Sequence, residues 1–491
     1  MSMIKVEKLT FSYPGSYDAV FKNVSFQLDT DWRLGFVGRN GRGKTTFLNL
    51  LLGKYEYRGR ILSSVNFSYF PYEVQKPERL TGDILAQLCP CAEEWELIRE
   101  LSYLKVKPEI LERPFSVLSD GERTKTLLAA LFLDEDKFPL IDEPTNHLDA
   151  LGRAAAAEYL KGKRGYILVS HDRAFLDGCV DHILSINKNN IEVQSGNFSS
   201  WKENFDRINA FEHTKNDSIK KEISRLEKSA GRTSDWAEKT EAGKHSRTSG
   251  LRPDRGYIGH KSAKMMKRSK AVQERQRQMI EEKSGLLKNV EQYDNLKISP
   301  LGHHAGTLVS VNDVKISYDG KEVCGPLNFE ISSGERIALC GGNGSGKSSI
   351  IKLILGENIP HTGTVTAASG LVISYLPQDT SFLCGTLDEY AKECGIDKSR
   401  FKTILRKLDF ERVQFDKRME DFSGGQKKKV LIAKSLCESA HLYIWDEPLN
   451  FIDIYSRIQL ERLISEFSIT MLFVEHDRTF CENTATKTVE L

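Results

Sequence analysis

Four short stretches of this chain each occur twice. "GRNGRGKT" (Gly38–Thr45) returns as "GGNGSGKS" (Gly341–Ser348), and "LSDGE" (Leu118–Glu122) as "FSGGQ" (Phe422–Gln426). "LIDEPTNHLD" (Leu140–Asp149) returns as "IWDEPLNFID" (Ile444–Asp453), and "VSHDRAF" (Val169–Phe175) as "VEHDRTF" (Val474–Phe480). The members of every pair lie 303–305 residues apart. A constant offset constrains the fold strongly, because each copy must build the same local structure. The 491 residues therefore divide into one module over 1–198, a second over 301–491 and a segment of different character over 199–300.

The first repeated motif is a P-loop. It follows an apolar run ("RLGFVG", "RIALCG") and opens a helical one ("TTFLNLLLG", "SSIIKLILG"), the strand–loop–helix context that phosphate binding requires. Its glycines let backbone N–H groups turn toward phosphates, and the helix N-terminus adds partial positive charge. Gly38, Asn40, Gly41, Gly43, Lys44, Thr45 and Thr46 are the candidates in the first copy. Gly341, Asn343, Gly344, Gly346, Lys347, Ser348 and Ser349 are those in the second. Downstream, "FPLIDE" and "LYIWDE" read as short strands ending in two acids. Asp142 and Asp446, with Thr45 and Ser348, suit Mg²⁺, and Glu143 and Glu447 are placed to polarise an attacking water. Pro139 inside the first strand predicts a bulge, or a strand that starts at Leu140.

P-loop, glycine-rich signature, Asp-Glu strand end and "HD" switch, in this order and in duplicate, resemble the ATP-binding cassette (ABC) ATPases. The resemblance implies an α/β fold: two tandem P-loop ABC ATPase domains facing each other head to tail, with ATP and Mg²⁺ as cofactors. It implies Tyr13 and Tyr318 against adenine, and His171 and His476 as catalytic switch residues beside Glu143 and Glu447. It also implies that each ATP sits between the P-loop of one copy and the signature of the other. Lys44 would then pair with Ser423 and Gly425, and Lys347 with Ser119 and Gly121, while Gly424, Gln426 and Glu122 complete the signature turns as further ATP-binding candidates. Gln378 occupies the Q-loop position of the second copy, a further Mg²⁺ contact. Two departures stand out: Tyr72 replaces that Gln in the first copy, and Asp120 replaces the first signature glycine. The expectation for Asp120 is a carboxylate turned to solvent, with unequal ATP sites as the alternative.

Composition bears on the middle segment. The formal charge is only +2, yet residues 201–300 hold 23 Lys and Arg against 15 Asp and Glu. Within 244–270 nine basic residues face one acid, Asp254. Such asymmetry points to an anionic partner. Apolar spacing predicts a helix over about 199–235, opened by a Ser200/Glu203 capping box, and another over about 262–296. Met265, Val272, Met279, Leu286 and Tyr293 recur every seventh residue, a stripe for one partner helix. The sum is an α-helical hairpin linker, a rod of about 45 Å. Lys244, Arg247, Arg252, Arg255, His260, Lys261, Lys264, Lys267, Arg268 and Lys270 at its tip are the candidate RNA contacts. No apolar run reaches the length of a transmembrane helix, no signal-type segment opens the chain, and the nine Cys are scattered. The expectation is a cytoplasmic monomer with intramolecular cassette pairing and no membrane domain.

Paired cassettes around a charged two-helix linker resemble the ABC-F family. "DEPTNHLD" is that family's usual wording, and "SGNFSSW" (Ser195–Trp201) resembles its entry into the linker. The second copy departs at Leu449, Phe451 and Ile452. Short P-loop to Q-loop spacing leaves no room for the additional arm of several housekeeping members, and little chain follows His476. "GYIGHKSAKMMKRSK" (Gly256–Lys270) with "NGRGKTT" is most similar to Lsa-type resistance proteins. That resemblance implies protection of the ribosome from lincosamides, pleuromutilins and group A streptogramins, with the linker reaching toward tRNA and 23S rRNA. A housekeeping translation factor shares every motif, and a transporter ATPase subunit remains the rival from another class.

Overall fold

The computed structural model describes residues 2–15, 19–134, 136–186, 191–242, 296–318, 321–467 and 469–491, with Lys267, Lys270, Ala271, Glu274, Arg275 and Met279 as single positions. The chain divides into two compact units, Met1–Trp201 with Tyr293–Leu491, and Lys202–Gln292.

In the first cassette, β1 (Met3–Phe11), β2 (Phe21–Asp29), β3 (Arg33–Gly38), α1 (Lys44–Leu51), β4 (Arg58–Leu62) and β5 (Asn66–Phe70) come first. They are followed by α2 (Thr81–Leu88), α3 (Glu94–Tyr103), α4 (Asp120–Leu131) and β6 (Lys137–Asp142). The cassette closes with α5 (Ala150–Lys161), β7 (Tyr166–Val169), α6 (Arg173–Cys179), β8 (His182–Ile186) and β9 (Ile191–Ser195). An antiparallel sheet β2-β1-β4 sits beside a six-stranded sheet β5-β6-β7-β3-β8-β9. Along β1, Ile4, Val6, Leu9 and Phe11 are buried. The step from Val6 to Leu9 breaks the two-residue period, and the chain absorbs it in a register shift at Lys8, whose φ is 50°. The large sheet is parallel except for its β8–β9 hairpin, and β7 is buried throughout. One face packs on α1 and the antiparallel sheet, in a core that holds Val6, Phe36, Phe47, Leu140 and Ile167 together, and burial of this kind explains why the central strands read as unbroken apolar runs.

A single helix, α7 (Phe198–Ala242), leads out of this cassette. It starts earlier and runs further than the apolar spacing predicts. Ser200 is not its cap: Asn197 Oδ1 accepts the Ser200 N–H at 3.1 Å, so Asn197 caps the helix. Of the candidate RNA contacts, Lys267 and Lys270 are helical and exposed. Lys244, Arg247, Arg252, Arg255, His260, Lys261, Lys264 and Arg268 lie outside the described residues, as do Met265 and most of the second predicted helix.

The second cassette repeats the plan. Its strands are β10 (Thr307–Tyr318), β11 (Lys321–Ser332), β12 (Arg336–Cys340), β13 (His361–Ala367), β14 (Ile373–Leu376), β15 (Leu442–Asp446), β16 (Met471–Val474) and β17 (Lys487–Glu490). Its helices are α8 (Lys347–Ile354), α9 (Leu387–Glu393), α10 (Lys398–Lys407), α11 (Gly424–Cys437), α12 (Ile454–Glu466) and α13 (Arg478–Thr484). The sheet orders are β11-β10-β13 and β14-β15-β16-β12-β17. Pro139 needs neither a bulge nor a late start. Strand β6 pairs with β5 through Ser68 and Pro139 without a register shift, and pairs with β7 only from Leu140 onward.

Candidate functional site

The strands that carry the motifs run parallel in each large sheet, so their carboxyl ends open on one side, where ligand sites of such sheets form. The repeated motifs all lie on that edge. The P-loop follows β3 or β12, the acid pair ends β6 or β15, and the switch histidine follows β7 or β16. Sequence-distant groups meet because strands far apart in the chain are neighbours in the sheet.

The P-loop turn requires glycine at the residue that caps α1. Gly43 has φ 91°, and a Cβ there would stand 2.5 Å from Val20 Cγ1. Gly346 repeats the conformation at φ 93°. Lys44 Nζ donates to the carbonyls of Gly38 (2.8 Å) and Arg39 (3.2 Å), and lies 3.4 Å from Asn40 Oδ1. Lys347 Nζ donates to the carbonyls of Gly341 (2.9 Å) and Gly342 (2.7 Å). Both rings expected against adenine are exposed. Their hydroxyls are anchored at the loop: Tyr13 lies 2.7 Å from Thr46 Oγ1, and Tyr318 donates to Ser349 Oγ at 3.0 Å.

Glu143 and Glu447 have φ 50° and 46°, the left-handed region that costs a residue with a Cβ about 1–2 kcal/mol. Their N–H groups still extend the sheet, donating to Val169 O (2.9 Å) and Val474 O (3.0 Å). The strain sits where the strand ends and the carboxylate meets the switch histidine. His171 Nε2 is 3.4 Å from Glu143 Oε1, and His476 Nε2 is 3.8 Å from Glu447 Oε1. Burial, reinforced by the charge of Lys44, holds His171 well below its ordinary pKa. Burial and Lys347 bring His476 to about 4. Both imidazoles are neutral at neutral pH.

The same burial raises the acids: Asp142 and Asp446 upward, and Glu143 to about 8, with Asp142 adding to the effect. Thr45 Oγ1 donates to Asp142 Oδ2 at 2.8 Å, while Asp446 Oδ1 and Glu143 Oε1 are buried without a hydrogen-bond partner among the described residues. Two hydroxyl–carboxylate pairs of hard oxygen donors with orphaned oxygens fit Mg²⁺. Gln378 Nε2 donates to Glu447 Oε2 at 2.8 Å, so the second copy joins its Q-loop to its strand-end acid. Tyr72 makes no such link in the first copy. Tyr69, the counterpart of Tyr375, instead donates its hydroxyl to the other acid of the pair, Asp142 Oδ2, at 3.1 Å.

Both signatures are capping boxes at a helix start. Ser119 Oγ accepts the Glu122 N–H while Glu122 Oε2 accepts the Ser119 N–H, and Ser423 with Gln426 does the same for α11. Two cavities lie between the cassettes. Site one, about 360 Å³, joins Asn40, Gly41, Glu143 and His171 to Ser423, Gly424, Gly425 and Gln426. Site two, about 580 Å³, joins Tyr318, Asn343, Gly344, Gly346, Lys347, Ser348, Ser349, Gln378, Glu447 and His476 to Asp120, Asn146, His147 and Leu148. Of the first cassette's signature, Asp120 lines this cavity together with Lys347. The Asp120 carboxylate is turned aside, 3.0 Å from Arg123 Nη1 and largely exposed.

Besides Tyr69, two groups escape motif reading. Lys428, in the place of Thr124, lines site two and donates to Pro377 O (3.0 Å) and Asp446 O (3.4 Å). Burial pushes its ammonium down to about 8. Glu475, in the place of Ser170, accepts the N–H groups of Leu449 (2.7 Å) and His476 (2.9 Å). This accounts for the departure at Leu449. In the first copy the hydroxyls of Thr145 and Ser170, 3.2 Å apart, join the two loops, and in the second a carboxylate does.

The ABC transporter family matches residues 21–146 and 324–450. The ATP-binding protein Uup of Buchnera aphidicola is 27% identical over 99% of this chain and 80% of its own length. The ribosome protection protein VmlR of Bacillus subtilis is 27% identical over 96% of this chain and 84% of its own. Among solved structures, one described as RNase-L Inhibitor superposes with a TM-score of 0.65 at 20% identity, over 99% of this chain and 87% of that one. No helix of the described residues is long and apolar enough to cross a membrane. The chain belongs to the ABC transporter family, as a tandem-cassette ATPase of the ABC-F kind.

Proposed function

We propose that the chain binds ribosomes in its ATP-bound state and protects them from drugs of the peptidyl transferase centre, with lincosamides, pleuromutilins and group A streptogramins as the drug classes. The observation that carries this reading is the charge of 244–270, nine bases to one acid, set between two cassettes whose nucleotide cavities are shared. Phosphate backbones of 23S rRNA and tRNA match charge so concentrated. The likeness to VmlR supports the same direction. The domain limits that go with it are 1–198, 199–300 and 301–491, and the setting is the cytoplasm.

In this reading the P-loops hold the phosphates, and Tyr13 and Tyr318 cover the adenines. Thr45 with Asp142, and Ser348 with Asp446 and Gln378, would hold Mg²⁺, which when bound neutralises phosphate charge. Glu143 and Glu447 accept the proton of the attacking water, and the neutral His171 and His476 orient it. The signature caps offer their N–H groups to the terminal phosphate, so the cassettes close while it is present and loosen after its release.

The test is the double variant Glu143→Gln/Glu447→Gln. It is expected to co-sediment with ribosomes in ATP, and failure to do so ends the ribosome reading. Drug susceptibility with and without the gene separates resistance from a housekeeping role in translation: no shift for any of the three classes removes the protection claim. Stimulation of ATP hydrolysis by membranes and not by ribosomes would favour the transporter-subunit alternative.

A further inference from the structure

The two faces of the cassette interface are built differently. On the site-one face, Arg39 Nη1 lies 3.6 Å and Arg42 Nη2 4.0 Å from Asp409 Oδ2. The Arg39 guanidinium also stands over the Tyr455 ring, 5.3 Å from its centre. Asn40 Nδ2 donates to Phe451 O at 2.8 Å. Arg173, two residues past the switch His171, donates to both carboxylate oxygens of Glu461 and lies 3.9 Å from Asp477 Oδ1. Arg173, Glu461 and Asp477 are all buried.

The duplication supplies an internal control, because the constant offset names the mirror of each residue. Gly342 and Ser345 stand for Arg39 and Arg42, Lys105 for Asp409, Leu151 for Tyr455 and Ala157 for Glu461. No mirrored ion pair can form from these. Arg478 is the counterpart of Arg173, but it pairs at 2.7 Å with Glu482 of its own helix, its side chain 80% exposed. Leu151 is 79% exposed where Tyr455 is 2% exposed. The looser face also holds the larger cavity, 580 Å³ against 360 Å³.

We infer that the site-one face is a standing interface held by the positioning residues Arg39, Arg42 and Arg173, and that the cassettes part on the site-two face to exchange nucleotide. The inference rests on ATP lying between the cassettes. These contacts involve no nucleotide atom, so they hold whether or not a terminal phosphate is present, and the two-point Arg173–Glu461 contact is the strong, geometrically specific kind of charge-assisted hydrogen bond. Among the described residues no such pair spans the site-two face, so its closure depends on contacts made through the nucleotide. Arg173 further joins the two switch segments, because Asp477 follows His476 directly.

The test uses the free, full-length Glu143→Gln/Glu447→Gln protein loaded with a fluorescent ATP analogue, and follows analogue release in excess ATP. Two phases of similar amplitude are expected, one fast and one slow. Ser423→Arg, which blocks site one from the facing cassette, is expected to remove the slow phase. Arg173→Ala and the isosteric Glu461→Gln are expected to speed the slow phase at least tenfold while leaving the fast phase within twofold. Arg478→Ala is expected to change neither. A single phase of analogue release, an equal response of both phases, or no response to either Arg173→Ala or Glu461→Gln overturns the inference. If instead Ser423→Arg leaves release unchanged, it is the composite-site reading that has failed. The readout contains no ribosome, so it does not depend on the ribosome reading.

Discussion

The N–H of Leu449 donates to Glu475 Oε1 at 2.7 Å, and the N–H of His476 donates to the other oxygen of the same carboxylate at 2.9 Å. One buried acid thus fastens the loop after the strand-end pair to the switch loop. Burial pushes its pKa up to about 7. In the unfolded chain the same group titrates near its ordinary value of about 4.3. Between those values the folded chain keeps a proton that the unfolded chain has released, so stability falls as pH rises through this window. The whole contribution is on the order of 3 kcal/mol. Thermal melts of the parent and Glu475→Gln at pH 5 and pH 7.5 check it: the parent is expected to lose stability relative to the variant at the higher pH, and parallel behaviour refutes it.

Lys428 ties the Q-loop carbonyl of Pro377 to the strand-end carbonyl of Asp446. Lys428→Thr copies the first cassette and removes charge-assisted hydrogen bonds worth about 1.5–3 kcal/mol in total. In a Glu143→Gln background, where turnover reports site two, the expected loss in ATP hydrolysis is about tenfold or more. An unchanged rate would mean that Gln378 holds its place without help.

Two P-loop glycines separate steric need from backbone need. Gly344 has φ 81° with nothing within 4 Å of a built Cβ, whereas at Gly43 a Cβ would collide with Val20. Gly344→Ala carries only the left-handed penalty, about 1–2 kcal/mol. Gly43→Ala adds overpacking and is expected to cost about 2–5 kcal/mol in all. Denaturant titration of the two variants should rank them in that order.

Charge at the linker tip should appear in the salt dependence of ribosome binding. Replacing Lys264, Lys267 and Arg268 with Gln is expected to reduce the slope of log K against log salt by about 2 to 3. Binding that weakens with no change of slope would point to contacts other than phosphate.

Motif spacing made the P-loops, acid pairs, signature caps and switch histidines legible, because each is a local arrangement within a few residues. Helix limits were less legible. Asn197 could not be told from Ser200 as the cap, since both types cap well and the choice depends on where the preceding strand ends. Tyr69, Lys428 and Glu475 gave no signal, because each acts across the sheet on a partner at least 26 residues away. A comparison of the two copies position by position would have flagged Lys428 against Thr124 and Glu475 against Ser170.

The sequence by itself determined that this chain is a duplicated P-loop ATPase with a basic insert, since glycine, lysine and acid at fixed spacings admit one local geometry. Only the tertiary structure decided which side chains the two copies bury against each other. Arg173 and Arg478 are the same residue in the same motif, yet one is buried against Glu461 and the other is exposed. Glu461 faces Arg173, the counterpart of Glu461 is Ala157, which has no carboxylate, and only the packed interface brings residues 288 positions apart into contact.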